Sequence, residues 1–362
     1  MGLWEPVMES AGQAAEPSGH LDGREEIMPD CVELLSDLKL PTLAEVLDPI
    51  SFARYFRGVS LKFSGGEAIE EIEFRVLRHV AGQRCTLEIR LRTPSGGQVL
   101  IGKVFRKDRI RVFDFMTEVH QAGFGLHDEF SIPEPLAYLP SLRLLLQERV
   151  EGPVAEEIFW AGDEASQAVA AERSAQWLAR FHAQAPRRGE VSPPDEYLNT
   201  KRMRECAPRI AKDARFTLKV DRLHDRLEEA AAAIRPLELC AGHGAYRPDH
   251  VILCPGRTVV FDLDTHDVAD PARDVARFLV ALRRLALKLG SIRALDKPYE
   301  IFLQTYLAAG QPGVETNLRF FEAAAYLKRA KRILDGRVAH WREGTEAMLD
   351  EGLRVLEGAT TP

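Results

Sequence analysis

The stretch LELCAGHGAYRPDHVILCPGRTVVFDLD, residues 237–264, decides the fold. Short apolar runs at 237–241, 251–253 and 258–263 predict three strands, and the polar or Gly-containing segments between them predict a loop and a turn. A His-Gly-x-x-x-Pro frame occupies the first connection, and an Asp-x-Asp pair ends the third run. The stretch therefore predicts a compact β insert that gathers polar side chains in its loops.

The insert is followed by ADPARD, residues 269–274. Together the two segments resemble the aminoglycoside phosphotransferase and choline kinase family, whose signature runs His-Gly-Asp, four residues, Asn, then Ile-Asp and Asp-Pro-x-x-Asp. The resemblance is strongest over residues 241–276, and by order of elements it extends over residues 70–340. The positions in register are His243, Gly244, Pro248, Asp262, Asp270, Pro271 and Asp274.

The resemblance implies an α+β, bilobal protein-kinase-like fold with a small N-terminal β-rich lobe and a larger helical C-terminal lobe. The hydrophobic pattern upstream agrees, because it predicts short leading helices, a five-stranded sheet and one further helix. The predicted strands are 72–80, 85–92, 98–105, 134–138 and 142–150, and the predicted helix is 109–122.

Domain boundaries follow from the same pattern. Residues 1–28, rich in Gly, Glu, Pro and Ala, predict a mobile tail; 29–150 form the N-terminal lobe, and 151–362 form the helical C-terminal lobe. The junction near residues 148–153 predicts a hinge, and a cleft between lobes is a common place for a ligand. The helices predicted in the second lobe are 164–183, 221–234, 274–289, 299–309, 318–335 and 345–356.

The family resemblance implies binding of ATP, or another nucleoside triphosphate, with Mg²⁺ or Mn²⁺. Such kinases hold the α- and β-phosphates with a Lys on the third strand, which a helix Glu holds in turn. Lys103 lies in the apolar third strand, and Glu118 lies on the following helix, with Asp114 as the rival partner. The alternative is that Lys103 points to solvent from an edge strand.

Further nucleotide contacts are expected at three places. The turn that contains Gly82, Gln83 and Arg84 lies where backbone amides of a tight turn can cradle phosphate. Main-chain groups around Glu148 and Val150 would read the adenine at the hinge. Arg247 could bind phosphate with both guanidinium nitrogens, or it could form a local salt bridge. The residues of these three groups are all cofactor-binding candidates.

Asp262 is the strongest candidate metal ligand, because it ends an apolar run at the cleft and hard cations prefer oxygen. Asp264 lies two residues along, on the same side of a predicted strand, and could add a second carboxylate. A turn or helix-capping aspartate is the alternative for Asp262. Asp270, Asp274 and His243 are interpreted as structural, with Asp274 bracing the catalytic loop.

The signature fails at the residues that carry the chemistry. Ala245 occupies the position of the family's catalytic Asp, and His250 occupies that of the metal-binding Asn. His250 could be a metal ligand that suits Mn²⁺ better than Mg²⁺, or a base with a pKa near neutrality. Asp249 is the other replacement for the missing base, and a solvent-facing loop histidine is the alternative for His250.

These substitutions leave three functions open. The first is a nucleotide-binding pseudokinase that scaffolds or regulates a partner. The second is an active phosphotransferase that acts on a small hydroxylated or amino metabolite, and the third is a kinase-fold nucleotidyl transferase. The partner is therefore a nucleotide plus an unidentified small molecule or protein. A basic stretch within 186–236 favours an anionic ligand, although a solvated helix face explains it equally well.

Composition excludes several other classes. The 362 residues carry a net charge of −7, which argues against bulk nucleic-acid binding. The five cysteines include no CxxC pair, which favours a reducing compartment. No stretch approaches ~18 consecutive apolar residues and the first residues lack a secretory pattern, so we expect a cytoplasmic protein without a membrane partner.

Overall fold

The structure is a computed structural model that describes residues 37–56, 69–94, 96–337 and 339–358. The predicted tail, residues 1–28, lies outside the described residues. Two of the leading helices are described, α1 (Leu43–Leu47) and α2 (Pro49–Phe56). Both pack on one face of the N-terminal sheet, where Phe52 and Phe56 enter the core of that lobe.

The N-terminal lobe is built on a five-stranded antiparallel sheet with the order β1-β2-β3-β6-β5. Alternation of apolar and polar residues lets the sheet bury one face against the leading helices and the other against α3. The elements of this lobe are β1 (Glu71–Val80), β2 (Arg84–Thr93), β3 (Gly96–Phe105), α3 (Ile110–Gln121), β4 (Phe130–Ser131), β5 (Pro135–Leu139) and β6 (Leu144–Glu148).

The C-terminal lobe is mostly helical, and its helices surround one continuous apolar core. Stacked rings of Tyr246, Phe278 and Phe302 join the loop of the β insert to this core. The helices are α4 (Ala155–Ala161), α5 (Glu164–Gln184), α6 (Lys201–Arg204), α7 (Cys206–Ile210), α8 (Thr217–Ala232), α9 (Ala272–Lys288), α10 (Asp296–Ala309), α11 (Val314–Gly336) and α12 (Trp341–Glu357). This arrangement confirms the expected α+β bilobal fold.

The β insert forms two small three-stranded sheets with the orders β4-β10-β9 and β7-β11-β8. Their strands are β7 (Val191–Ser192), β8 (Cys240–Gly242), β9 (Val251–Cys254), β10 (Arg257–Val260) and β11 (Asp267–Ala269). The third predicted strand is shorter than expected, because its ladder with β9 ends at Val260. The chain then leaves the sheet, so Asp262 and Asp264 do not lie on a strand.

The junction between the lobes runs from the end of β6 at Glu148 to the start of α4 at Ala155. Gly152 has a φ of 148°, and a Cβ there would lie 3.1 Å from the carbonyl oxygen of Leu253. The glycine therefore lets the connection pass close to β9. Among the residues that the structure describes, we find no helix that combines the length and the apolar character a membrane crossing requires.

Candidate functional site

A cavity of about 310 Å³ lies between the sheet of the N-terminal lobe and the β insert. The sheet contributes Lys103 from β3, and the lobe junction contributes four successive residues. The insert contributes two carboxylates, Asp249 before β9 and Asp262 after β10. The lining residues are Leu77, Arg78, Arg84, Thr86, Ile101, Lys103, Pro133, Gln147, Glu148, Arg149, Val150, Asp249, His250, Ile252, Phe261 and Asp262.

Lys103 reaches across this cavity to both carboxylates of the Asp-x-Asp pair. Its Nζ lies 3.2 Å from Asp262 Oδ1 and 3.1 Å from Asp264 Oδ1. Burial alone would lower the pKa of Lys103, but Asp264 and Asp262 outweigh it and raise that pKa. Burial would likewise raise the pKa of Asp262, yet Lys103, His250 and Arg84 hold it well below its usual range. Lys103 is therefore charged and does not point to solvent.

The backbone at Asp262 explains how the two carboxylates converge. Asp262 adopts a left-handed conformation with φ 69° and ψ 48°, which is uncommon for a residue with a side chain. A short 3₁₀ turn, Leu263–Thr265, follows directly and turns Asp264 toward the same lysine. Such backbone strain concentrates at functional sites. The carboxylates therefore share a partner through this turn, and not through strand alternation.

Arg84, the first residue of β2, also binds both carboxylates. Its Nη1 lies 2.9 Å from Asp262 Oδ1 and 2.5 Å from Asp264 Oδ2. Its Nη2 lies 3.3 Å from Asp262 Oδ2. Two positive side chains therefore neutralise two negative ones at the inner end of the cavity. A cation that takes these oxygen atoms must first displace Arg84.

The expected pairing of Lys103 with a helix carboxylate is wrong for this structure. Glu118 instead accepts hydrogen bonds from Arg188, at 2.8 and 3.2 Å, and Asp114 is exposed. The reason is electrostatic: Asp262 and Asp264 already supply the negative charge that a buried ammonium needs.

The turn between β1 and β2 does not offer free amides to a phosphate. The Gly82 N–H donates to Asp37 Oδ2 at 2.7 Å, and the Gln83 N–H donates to the Val80 carbonyl at 2.9 Å. Neither Gly82 nor Gln83 lines the cavity. Of the three residues expected to contact nucleotide in this turn, the structure brings only Arg84 to the cleft. The contact from Asp37 carried no signal in the sequence, since the two positions are 45 residues apart.

Glu148 and Val150, at the lobe junction, line the cavity. The Glu148 carboxylate is held by Arg257, with distances of 2.7 and 3.0 Å, and its N–H donates to the Glu134 carbonyl. The Val150 carbonyl accepts from Arg149 Nη1 at 2.8 Å. The Val150 N–H has no acceptor within the described ranges. Val150 lines the cavity, so this N–H is the candidate donor to a ligand at the lobe junction.

His243 and Asp274 brace the loop that carries Ala245. The His243 Nε2–H donates to the Phe261 carbonyl at 3.0 Å, and its Nδ1 accepts from the Ala245 N–H at 3.3 Å. Asp274 Oδ2 accepts from the N–H groups of His243 and Gly244, at 2.7 and 3.3 Å. Burial lowers the pKa of His243. The ring is therefore neutral and structural.

Gly244 is dictated by the space around it. Its φ is +78°, and a Cβ at this position would lie 1.9 Å from the carbonyl oxygen of Thr265. Only glycine allows the loop to pass this close to the turn that follows Asp262. The positions of Ala245 and Asp262 are thus coupled through direct backbone packing.

The expectation of a near-neutral base at His250 is wrong. His250 is buried. Burial, Arg247 and His243 together lower its pKa to about 3, because their effect is larger than that of Asp249 and Asp262, which would raise this pKa. Arg247 Nη2 donates to His250 Nε2 at 2.8 Å, which leaves the proton on Nδ1, where no partner exists among the described residues. The lone pair of Nε2 already accepts from a guanidinium and Nδ1 carries the proton, so the ring has no lone pair left for Mg²⁺ or Mn²⁺. His250 therefore fits neither of its expected roles.

Asp249 lines the cavity, but its carboxylate is engaged locally. Its Oδ2 lies 2.9 Å from Arg247 Nη2. Of the two alternatives for Arg247, the structure shows the local salt bridge. The Asp249–Arg247 pair therefore occupies one oxygen of the carboxylate that was expected to replace the missing base.

The residues present fit a hard cation only in part. The described part of the chain holds no cluster of three or more His, Cys, Asp and Glu side chains arranged as metal ligands. Asp262 and Asp264 offer converging carboxylate oxygens, which are the ligands that Mg²⁺ and Mn²⁺ prefer. These two residues are the ones that could hold a cation once Arg84 has moved away.

The sheet lobe, the helical lobe and the lysine–carboxylate cleft between them define a protein-kinase-like fold. The family model described as phosphotransferase enzyme family, APH, matches residues 70–333. The chain therefore belongs to the APH phosphotransferase family, as the signature around the β insert predicted.

Solved structures agree on the fold. A choline/ethanolamine kinase family protein from Mesorhizobium loti matches with a TM-score of 0.53 and 16% identity, covering 90% of this chain and 96% of that one. Choline kinase from Cryptosporidium parvum Iowa II matches with a TM-score of 0.53 and 12% identity, covering 86% and 96%. A thermostable mutant of aminoglycoside phosphotransferase APH(4)-Ia, in a ternary complex with AMP-PNP and hygromycin B, gives 0.53 and 16%, covering 86% and 100%. No curated protein matches the chain.

Proposed function

We propose that the cleft binds ATP or another nucleoside triphosphate, and that the chain is a pseudokinase-like member of its family with impaired phosphate transfer. The cavity carries the features that triphosphate binding requires: a buried lysine opposite paired carboxylates, and a lobe junction with an available N–H at Val150. The similarity to a fold that binds AMP-PNP in an aminoglycoside phosphotransferase supports this proposal.

A divalent cation would be held by Asp262 and Asp264 in this proposal. When bound, Mg²⁺ or Mn²⁺ neutralises charge on the β- and γ-phosphate oxygens. The chain's own residues supply the rest: Lys103 orients phosphate, and Arg84 leaves the carboxylates to bind phosphate oxygens directly. Because Arg84 is only partly buried, this movement exposes no apolar core.

The observation that carries the impairment is the loop around Ala245. A methyl group there can neither orient nor deprotonate a hydroxyl. The two residues expected to replace an aspartate are poorly suited to that role, because His250 has a pKa of about 3 and Asp249 is paired with Arg247. A general base contributes about 10²–10⁴ to rate, so transfer is expected to be slow.

The second candidate is an active phosphotransferase acting on the hydroxyl of a small metabolite. It is favoured by one observation, namely that Asp249 lines the same cavity as Lys103 and Asp262. Positioning and electrostatics carry most of phosphoryl transfer, and Lys103 with Asp262 and Asp264 would still supply part of both. In this case Asp249→Asn abolishes turnover of the metabolite.

Thermal stability tests nucleotide binding first. ATP with Mg²⁺ or Mn²⁺ should raise the melting temperature of the whole chain, since a ligand that binds only the folded state stabilises it. Asp262→Asn should remove that shift, and Asp221→Asn, an exposed carboxylate on α8, should keep it. No shift with any nucleoside triphosphate would refute the binding proposal.

Activity then separates the two candidates. The double variant Ala245→Asp/His250→Asn restores the family's residues, and we expect its ATPase or kinase rate to rise by about 10²–10⁴ over the parent chain. A parent chain that already turns over a metabolite at ordinary kinase rates, about 1–100 per second, would contradict impairment.

A further inference from the structure

Seven positive side chains gather in the helical lobe beside the loop that carries Ala245. They come from four separate parts of the chain: α6, the loop itself, α9 and α11. We call them the basic cluster, which comprises Arg202, Arg247, Arg277, Arg284, Lys328, Arg329 and Arg332.

The cluster is tied to the loop by direct contacts. Arg277 donates a hydrogen bond to the Gly244 carbonyl and lies 3.3 Å from Asp274 Oδ1. Arg247 follows Ala245 by two residues. On α11, Lys328 and Arg332 are one helical turn apart and therefore share a side of that helix, which packs against α9. The cluster thus borders the part of the loop where the family's catalytic residue would stand.

The positive charge of the cluster is not compensated by the protein. Three members have carboxylate partners: Arg247 pairs with Asp249, Arg277 with Asp274, and Arg284 with Glu156 at 3.7 Å. The other four form no ion pair with any residue in the described ranges; they are Arg202, Lys328, Arg329 and Arg332. At neutral pH the six arginines less the three paired ones leave an excess of three charges, and Lys328, whose pKa is lowered to about 6, adds a fourth only when it takes up a proton.

Two cations near the cluster, but outside it, are neutralised by a carboxylate of the protein. Lys331 lies on the same helix and pairs with Asp335 at 2.7 Å, and Arg209 pairs with that same carboxylate. Arg209 belongs to the basic stretch within 186–236, and Asp335 neutralises it. Of that stretch, Arg202 is the residue that joins the cluster.

The cations of the cluster act on one another. Burial, with Arg277, Arg332 and Arg202, lowers the pKa of Lys328 to about 6. Burial, with Arg284, Arg332 and Arg247, lowers the pKa of Arg329 to about 9. Lys328 and Arg329 are partly buried, so the cluster is more than a solvated surface. Like charges held together and desolvated are unfavourable unless an anion neutralises them.

We propose that the basic cluster binds a phosphate-bearing small molecule next to the loop that carries Ala245. Guanidinium groups bind phosphate oxygens in pairs, and an excess of three charges, or four once Lys328 takes up a proton, matches a ligand with two phosphate groups or a phosphate and further acidic groups. A polycationic ligand is excluded from this position by the same charge. If this ligand is also the molecule that receives the phosphate, that role rests on the proposed function. The binding of the ligand to the basic cluster does not rest on it.

Inorganic pyrophosphate is a suitable probe, tested by calorimetry and thermal shift on the full chain without nucleotide. We expect binding that Lys328→Gln/Arg332→Gln weakens by at least about tenfold, because each lost charged hydrogen bond contributes a factor of about ten or more. The matched control is Lys331→Gln, the same substitution on the same helix, which should bind as the parent does.

A second pair of variants separates this site from the nucleotide cleft. Lys103→Met should leave pyrophosphate binding unchanged at the cluster, whereas Lys328→Gln/Arg332→Gln should leave the ATP-dependent shift unchanged. Pyrophosphate binding lost in Lys103→Met but kept in the cluster variant would overturn the proposal. A rise in melting temperature that sodium chloride of equal ionic strength reproduces would also overturn the proposal, because charge screening alone would explain it.

Three further cases bear on whether the basic cluster binds phosphate. If the double variant does not fold, Arg332→Gln, at an exposed position, replaces it and should still weaken binding about tenfold. Binding of an acidic peptide such as hexaglutamate, with none for pyrophosphate, would overturn the phosphate ligand in favour of a protein partner. If ATP fails to bind while pyrophosphate binds at the cluster, the nucleotide proposal fails and this one stands.

Discussion

Replacing Lys328 by Gln should stabilise the free protein, although the change removes a charged group from a folded domain. Lys328 has its pKa lowered from 10.5 to about 6 by burial and by Arg277, Arg332 and Arg202, with Cys206 opposing. At neutral pH the unfolded chain therefore binds a proton at this lysine that the folded protein rejects. Folding therefore includes the free-energy cost of releasing that proton. A Gln side chain binds no proton, so the variant folds without this cost.

The magnitude follows from the pKa difference. At ~1.4 kcal/mol for each pH unit, the difference between 10.5 and about 6 sets a ceiling of roughly 6 kcal/mol. Lys328 keeps some contact with solvent, which screens its neighbours, so we expect a gain of about 1–3 kcal/mol at pH 6.

The sign of the pH dependence is equally specific. Below pH 6 the lysine is protonated in both states, and the full cost is present. Between about pH 6 and 10 the unfolded state binds more protons, so the stability of the parent chain rises with pH and the advantage of Gln shrinks.

Urea unfolding of both chains from pH 6 to 8.5, in a buffer free of phosphate and sulfate, measures this difference. Cys206, whose pKa burial raises, does not titrate in that range. Lys331→Gln is the control, and losing its exposed pair with Asp335 should change stability by less than about 1 kcal/mol at every pH. A Lys328→Gln chain that is less stable than its parent, or whose stability follows the parent's in parallel across this range, would refute the reasoning.

Three more outcomes test the cleft itself. Gly244→Ala should cost about 3 kcal/mol or more in urea unfolding, because the new Cβ meets the Thr265 carbonyl; a loss below 1 kcal/mol would contradict this packing. Asp274→Asn should cost about 3–5 kcal/mol at pH 7. Since nearby cations lower the pKa of Asp274 below 3.8, the parent loses this stability as pH falls below about 4, and the variant should not. Arg84→Gln should weaken Mg²⁺-dependent ATP binding by roughly a factor of ten, measured by calorimetry, because Arg84 leaves the carboxylates and binds phosphate oxygens in the complex; tighter binding would show that Arg84 only blocks the carboxylates.

Local patterns in the chain predicted the fold well. Strand alternation and Gly-bearing turns specify the five-stranded sheet, since side-chain period and turn chemistry act over a few residues. The bracing of the loop by Asp274 was predicted through the family resemblance, which positions His243 and Asp274 help to carry. The meeting of Lys103 with Asp262 was also predictable, through the family resemblance that links a distant sheet to the insert.

The electrostatic environment was not predictable in the same way. Nothing near Glu118 in the sequence indicates Arg188, and nothing near Arg84 indicates that it would bind Asp262 and Asp264. The pKa of His250 depends on its burial, which local sequence does not report.

The sequence by itself therefore determined the family, the two lobes and the loss of the catalytic aspartate at Ala245, because each depends on residue identity at defined spacing. Only the tertiary structure decided which charges neutralise one another. Arg202 and Arg332 are far apart along the chain, and their surplus of positive charge exists only because packing of the helices brings them together. Coulomb interactions act through space and depend on burial, and neither distance nor burial is written in the local order of residues.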